Sequence, residues 1–239
     1  MVKIRAVRAI DDAEVCHRYI EGHTRVLTSI GVTKVTSANT DWMYNPAAFV
    51  ILVESADGDR ILGGARIHAV GGNQNLPIVG ATEDMDAQVE PLVRKYGASG
   101  SGELCGLWNS REVAGMGIGS IFLSRAAVAI IRQFRLTSLF ALAAPYTIKM
   151  AENVGFEIEH SLGVNGTFYY PKEDLLATAM IIKDAVDLPK AEPFERIRIL
   201  DLREKPQQIT LETYRDKEIE IDYNLLIPNI ENLSFNYDL

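Results

Sequence analysis

The chain has 239 residues, 47% hydrophobic and 23% charged, which excludes a disordered polymer and leaves room for a large domain with its own core. A net charge of -8 and a pI near 5.1 exclude a surface that grips nucleic acid or an anionic membrane, since such partners are held by an excess of Lys and Arg. Its two cysteines, Cys16 and Cys105, exclude a disulfide framework and a CxxC zinc site, so no metal is expected. No run of about 18 apolar residues is present, and MVKIRAVRAIDD has no apolar export core, so the expectation is a soluble, cytoplasmic protein.

In chain order, Lys3 to Ile10 alternates as a strand and ends at Asp11 and Asp12, candidate caps for a helix. Val15, Tyr19, His23, Val26, Leu27 and Ile30 then recur at helical spacing up to Gly31. Ala48 to Ser55 and Arg60 to Val70 are β-rich runs joined through Asp57-Gly58, a hairpin signal. From Gly71 to Gly102 the chain turns to Gly, Asn and Pro and reads as an insertion with one short helix near Glu83 to Tyr96. Gly102 to Trp108 is a strand, a glycine-rich segment leads into a helix reaching about Phe134, and Ser138 to Ala144 is a continuous apolar strand of the kind buried on both faces. A helix from Thr147 to Asn153 stops at Gly155, and FEIEHSL and LLATAMII are two further strands around VNGTFYY.

After about Asp184 the composition shifts. RIRILDL, QITLETY and KEIEIDYNLLI read as charged, alternating strands that extend the main sheet or form a small lobe. The division expected is residues 1–183 as one domain, interrupted by 71–102, and 184–239 as a β-rich extension. Its alternating Glu218, Glu220 and Asp222 suit a solvated face, with an interaction edge or a homodimer strand as the alternative.

The segment from Ala114 to Ser120 places Gly115, Gly117 and Gly119 immediately before a helix. Such a loop presents unpaired N–H groups and the positive end of the helix dipole, which together suit phosphate; the alternative is a tight strand-to-helix turn. The segment lacks the Lys-Ser/Thr of a P-loop and the GxGxxG spacing of a dinucleotide fold.

AGMGIGSIFL, its helix, SLFALAA and TIKMAENVGFEI together resemble the acyl-coenzyme A binding core of the GNAT superfamily of N-acyltransferases. The likeness covers roughly Lys3 to Ile182 and rests on the order of elements. It implies an α/β fold with a mixed, twisted sheet flanked by helices, a C-terminal β-rich extension, and acetyl-CoA or another acyl-CoA as co-substrate. It also implies a primary amine of a small molecule as acceptor. By the same resemblance the backbone of Ala114, Gly115, Met116, Gly117, Ile118, Gly119 and Ser120 would cradle the pyrophosphate, and Leu107, Trp108 and Asn109 would align the pantetheine arm. The sequence departs from the family at two places: its loop Gln or Arg falls on Ala114, and the Tyr that protonates the leaving thiolate falls on Ala151.

GGARIH, NLPI and GELCGLW are similar in order to the acyl-homoserine-lactone and N-acyl amino acid synthases, which take long acyl chains from acyl carrier protein. That likeness implies roles for Arg66, Glu103 and the Asp41-Trp42 pair, while an arginine of those enzymes is Gly106 here.

The residues themselves leave alternatives open. Alternation puts Glu103, Cys105 and Leu107 on one strand face, where Glu103 is either a general base with a raised pKa or the partner of a cation. Arg66 and His68 share a face. Arg66 either clamps an acceptor carboxylate or pairs with Glu54 or Asp59. Cys105 has no recognisable His partner and reads as core, and Trp42, Tyr44 and Phe49 wall a cleft or pack in the core. His23 faces an acceptor cleft or sits satisfied in the core, and Tyr169 and Tyr170 are candidates for the missing acid. Two functions of different kind follow, acyl transfer and non-catalytic acyl-CoA binding.

Overall fold

The computed structural model describes residues 1–29, 31, 40–228 and 230. Its strands are β1 (Val2–Arg8), β2 (Ala48–Ser55), β3 (Ile61–Ala69), β4 (Ser101–Asn109), β5 (Ser138–Ala143), β6 (Glu157–Ile158), β7 (Thr167–Tyr169), β8 (Leu176–Ile182), β9 (Gln207–Tyr214) and β10 (Lys217–Asn224). The helices are α1 (Ala13–Ser29), α2 (Pro77–Thr82), α3 (Val89–Gly97), α4 (Leu123–Ile130), α5 (Ile148–Asn153) and α6 (Pro193–Glu204). The strands form one mixed sheet in the order β6-β8-β5-β4-β3-β2-β1-β10-β9, with β7 beside β8. The β1–β10 and β4–β5 pairs are parallel and the others antiparallel.

The apolar run of β2 is buried at every position because helices cover the sheet on both sides. On one side α4, buried throughout, packs with Phe122 and Phe134 against Ile4, Ile51 and Ile67, and Phe134 stacks on Phe49 at a centroid distance of 4.1 Å. Burying each such side chain contributes about 1.5–3 kcal/mol. On the other side α1 sets Val15, Cys16 and Tyr19 against Val50, Leu52 and Trp108, while α2 and α3 bring Ile78, Val79 and Val93 against Phe140 and Ile181. As expected, Asp12 caps α1, its Oδ1 accepting from Val15 N at 3.0 Å. The Gly31 N–H closes the helix on Thr28 O at 3.1 Å; Ile30 lies outside the described residues.

Two expectations change and one alternative is decided. The insertion holds two helices, and Glu83 to Asp86, read as helical, forms the turn between them. Pro77 at the first turn starts α2, and Asp86 Oδ1 accepting from Gln88 N precedes α3. RIRILDL, read as a strand, is the body of α6: Pro193 stands in its first turn, Glu192 accepts from Phe194 N and Glu195 N, and Glu195, Ile199 and Leu202 form the buried stripe. Helical spacing was hidden there because the same apolar residues also alternate. Finally, β10 runs parallel to β1 with Val2 opposite Ile221, so the last strands extend the main sheet.

Candidate active site

The site begins where two strands part. The β4–β5 ladder runs from Ser101–Ser138 to Leu104–Ala141 and stops there, while β4 continues along β3 to Asn109. Between these points β4 carries a bulge, with a register shift opposite Gly64 to Arg66 and Gly106 at φ +57. A side chain at Gly106 would meet the Tyr19 hydroxyl, which donates to the Gly106 carbonyl. The bulge breaks the expected alternation: Glu103, bonded to Ile78 of α2, and Cys105, beside Tyr19 of α1, stay on the side of Trp108, while Leu107 turns to the α4 core. One extra residue re-aims the strand end.

After β4 the chain crosses Arg111–Val113, a short turn, and reaches the glycines. Gly117 lies at φ +78 and its carbonyl accepts from Ser120 N at 3.3 Å and Phe122 N at 3.1 Å, a wide turn that runs into α4. Met116 N–H is used by Val113 O at 3.2 Å. Beside this turn opens a cleft of about 570 Å³, walled by His23, Leu107, Trp108, Asn109, Gly119, Ser120, Tyr146, Lys149, Asn153, Tyr214 and Arg215 among others. Of the residues expected to hold a donor, Leu107, Trp108, Asn109, Gly119 and Ser120 stand in the wall. Ala114, Gly115, Met116, Gly117 and Ile118 form the loop behind it, with Ile118 fully buried.

Sequence reasoning missed Tyr146, Lys149, Tyr214 and Arg215. Tyr146 follows β5 and is 83% exposed. It also borders a second, mainly apolar cavity of about 660 Å³ shared with Leu27 and lined by Leu142, Ala144, Pro145, Tyr170 and Leu176. Tyr170 therefore faces this cavity, whereas Tyr169 is exposed.

Glu103, Arg66, His68 and Trp42 gather behind the cleft wall under α1 and α2. Glu103 is 2% exposed; its Oε2 accepts from Ile78 N at 2.6 Å. Burial pushes its pKa up to about 8, against the pull of that N–H and of Arg66. His68 stands opposite it across the ladder, its ring nitrogens without a hydrogen-bond partner, and burial followed by the charge of Arg66 drives its pKa well down. The Arg66 guanidinium lies 4.4 Å from the Trp42 ring centroid and 5.6 Å from that of Tyr19. Glu54, its alternative partner, is instead gripped by Arg5 and Arg18 at 2.7 Å each. Burial raises Cys105 to about 12, the state of a core thiol. His23 lines the cleft, lowered to about 4 by burial and by Arg66, and is neutral at pH 7. Among the described residues no three His, Cys, Asp or Glu side chains are grouped for a metal ion, and no helix is long and apolar enough to cross a membrane.

The C-terminal elements reach this site through α4. Buried Arg125 donates to Glu195 of α6 at 2.8 and 3.0 Å and to Glu212 of β9 at 2.7 Å, and Glu212 also accepts from Arg198 at 2.8 Å. Two residues beyond Glu212 on β9, Tyr214 sets its ring against Gly117 and edge-on to Phe122.

A parted parallel strand pair, a glycine turn into a helix at the parting and a mixed sheet covered on both sides constitute the acyl-CoA N-acyltransferase (GNAT) fold. The chain is similar to FeeM, an N-acyl amino acid synthase from uncultured soil microbes, with TM-score 0.60 and 13% identity over 82% of this chain and 98% of that one. It is similar to MesI, a CoA-dependent acyl-homoserine lactone synthase, with TM-score 0.56 and 12% identity over 84% and 95%. An acyl-CoA N-acyltransferase from Pseudomonas aeruginosa gives TM-score 0.51 and 12% identity over 76% and 99%. No protein-family model and no curated protein matches the sequence.

Proposed function

We propose that this protein is an enzyme that transfers an acyl group from an acyl-coenzyme A thioester to the primary amine of a small molecule. One observation carries the reading: the open edge of β4 and the glycine turn meet in a single cleft of about 570 Å³. The pyrophosphate would meet the N–H groups between Gly115 and Gly119 that the turn does not itself use, and the pantetheine arm would lie along Leu107 to Asn109. The amine nitrogen then forms a bond to the thioester carbon, the C–S bond breaks, the ammonium gives up a proton and the sulfur gains one. An N–H of the β4 edge supplies the donor for the oxyanion.

Glu103 is the base in this reading. Because its carboxylate is sealed under Ile78, the proton travels to it through water, past Trp108. Tyr146 is the group assigned to the sulfur; a thiol pKa near 8.5 makes that acid a modest contributor. Arg66 and Trp42 hold the wall between Glu103 and the acceptor.

A second reading, synthesis of an N-acyl amino acid or lactone from a long-chain thioester, is favoured by the apolar cavity of about 660 Å³ that shares Leu27 and Tyr146 with the cleft. The test is a thermal-shift and turnover series with coenzyme A, acetyl-CoA, longer acyl-CoAs and acylated carrier protein on wild type and Ser120→Glu, which sets a carboxylate in the cradle. Stabilisation of wild type by a CoA thioester, lost in the variant, supports the reading. At a ligand concentration a hundred times Kd the gain is about 2.7 kcal/mol. Binding without any turnover makes the protein an acyl-CoA binding module, and no binding of any thioester overturns the proposal.

A further inference from the structure

Ala114 stands where the resemblance to the GNAT loop implies a Gln or Arg, so the loop has no polar side chain there for a phosphate. The cleft wall contains two cations, Lys149 and Arg215. Lys149 Nζ lies 3.3 Å from Glu152, and the one wall carboxylate, Glu195, is held by Arg125 in a bidentate pair. Among the described residues of the wall, Arg215 is therefore the cation with no carboxylate within ion-pair distance. It occupies the turn between β9 and β10, at φ +55, and its guanidinium lies 5.3 Å from the ring centroid of Tyr214. Tyr214 is itself seated on the glycine turn: a Cβ on Gly117 would come within 2.8 Å of its Cγ. The ion network of Arg125, Glu195 and Glu212 fixes the hairpin to α4, the helix that the glycine turn opens.

We infer that Arg215, carried by the C-terminal hairpin, is the phosphate-binding cation of the donor site and pairs with the pyrophosphate of the acyl-CoA. The inference rests on the acyl-CoA reading above. A planar guanidinium suits bidentate contact with a diphosphate, and Arg215 lines the same cleft as Gly119 and Ser120 of the glycine turn. The sequence separation between Ala114 and Arg215 hides the compensation: the polar side chain absent from the loop is supplied by the β9–β10 turn.

The experiment compares wild type, Arg215→Asn and Arg215→Lys by calorimetry with coenzyme A, 3′-dephospho-coenzyme A and pantetheine. Asn tolerates a left-handed backbone, so the turn is kept while the charge is removed. The expected result is a loss of about tenfold or more in affinity for both coenzyme A and its 3′-dephospho form in Arg215→Asn, roughly the weight of a charge-assisted hydrogen bond. Pantetheine should bind all three proteins alike, and Arg215→Lys should restore part of the loss. Equal affinity of Arg215→Asn and wild type for coenzyme A overturns the inference, as does a loss confined to the 3′-phosphorylated ligand or one shared by pantetheine, which would report a collapsed hairpin. Failure of wild type itself to bind coenzyme A would instead sink the acyl-CoA reading.

Discussion

A Cβ placed on Gly119 would coincide with the side chain of Asn109 and come within 2.9 Å of the Asn109 Cα. The third glycine of the loop is thus required by the end of β4, against which the turn is pressed, whereas Gly117 is required by its left-handed φ and by Tyr214. Gly115 has open space around its missing side chain. Gly119→Ala should therefore push the loop off β4, costing about 1–3 kcal/mol by overpacking and removing acyl-CoA binding. Gly115→Ala should cost only the left-handed backbone, about 1–2 kcal/mol, with binding retained. Urea unfolding and calorimetry on both variants check this; equal behaviour of the two would refute it.

Glu103 is protonated more readily in the folded chain, where its pKa is about 8, than in the unfolded one, near 4.5. In that window the native state binds the extra proton, so this group's contribution to stability falls as pH rises from about 4.5 to about 8. Glu103→Gln keeps an acceptor for Ile78 N and should flatten that slope in a Tm-against-pH series. If Glu103 is also the base, kcat/KM rises with pH through about 8 in wild type, and the limb vanishes in the variant together with most of kcat. An unchanged pH–rate profile in Glu103→Gln would leave Glu103 a structural residue.

Ala144 lines the apolar cavity next to Tyr146. Ala144→Phe should fill part of it, lowering kcat/KM for acyl groups of many carbons by tenfold or more while acetyl transfer changes little. The ratio of the two rates measures this, and a variant that lost both equally would show that acyl chains do not enter there.

Arg125 is 1% exposed and satisfies two carboxylates at once. Arg125→Ala strands Glu195 and Glu212 in the interior and should lower stability by about 3–5 kcal/mol. Chemical denaturation reads the loss. A cost below 1 kcal/mol would mean that water reaches the pair.

Much of this was legible in local sequence. The glycine turn, its helix and the strands on either side follow from apolar periodicity and from residues whose chemistry is local. The bulge at Gly106 was not legible, because nothing distinguishes one glycine in GELCGLW as an inserted residue until Tyr19 is seen to occupy its place. Strand and helix spacing coincide in RIRILDL, where only Pro193 and the Glu192 cap argue for the helix. The candidate site was half visible for the same reason: Gly119 and Ser120 announce themselves, whereas Arg215 becomes part of the cleft only through the pairing of β10 with β1.

That pairing also orders events in time. Val2 is made well before its parallel neighbour Ile221, which follows nearly all of the other strands of the sheet. Until then β1 has one unsatisfied edge, with Ile4 and Ala6 ready to recruit any extended segment, so a nascent or truncated chain is prone to pairing with its own copies. The hairpin that closes this edge is the one that brings Tyr214 and Arg215 to the glycine turn, so completion of the barrier against aggregation and completion of the cleft are a single step.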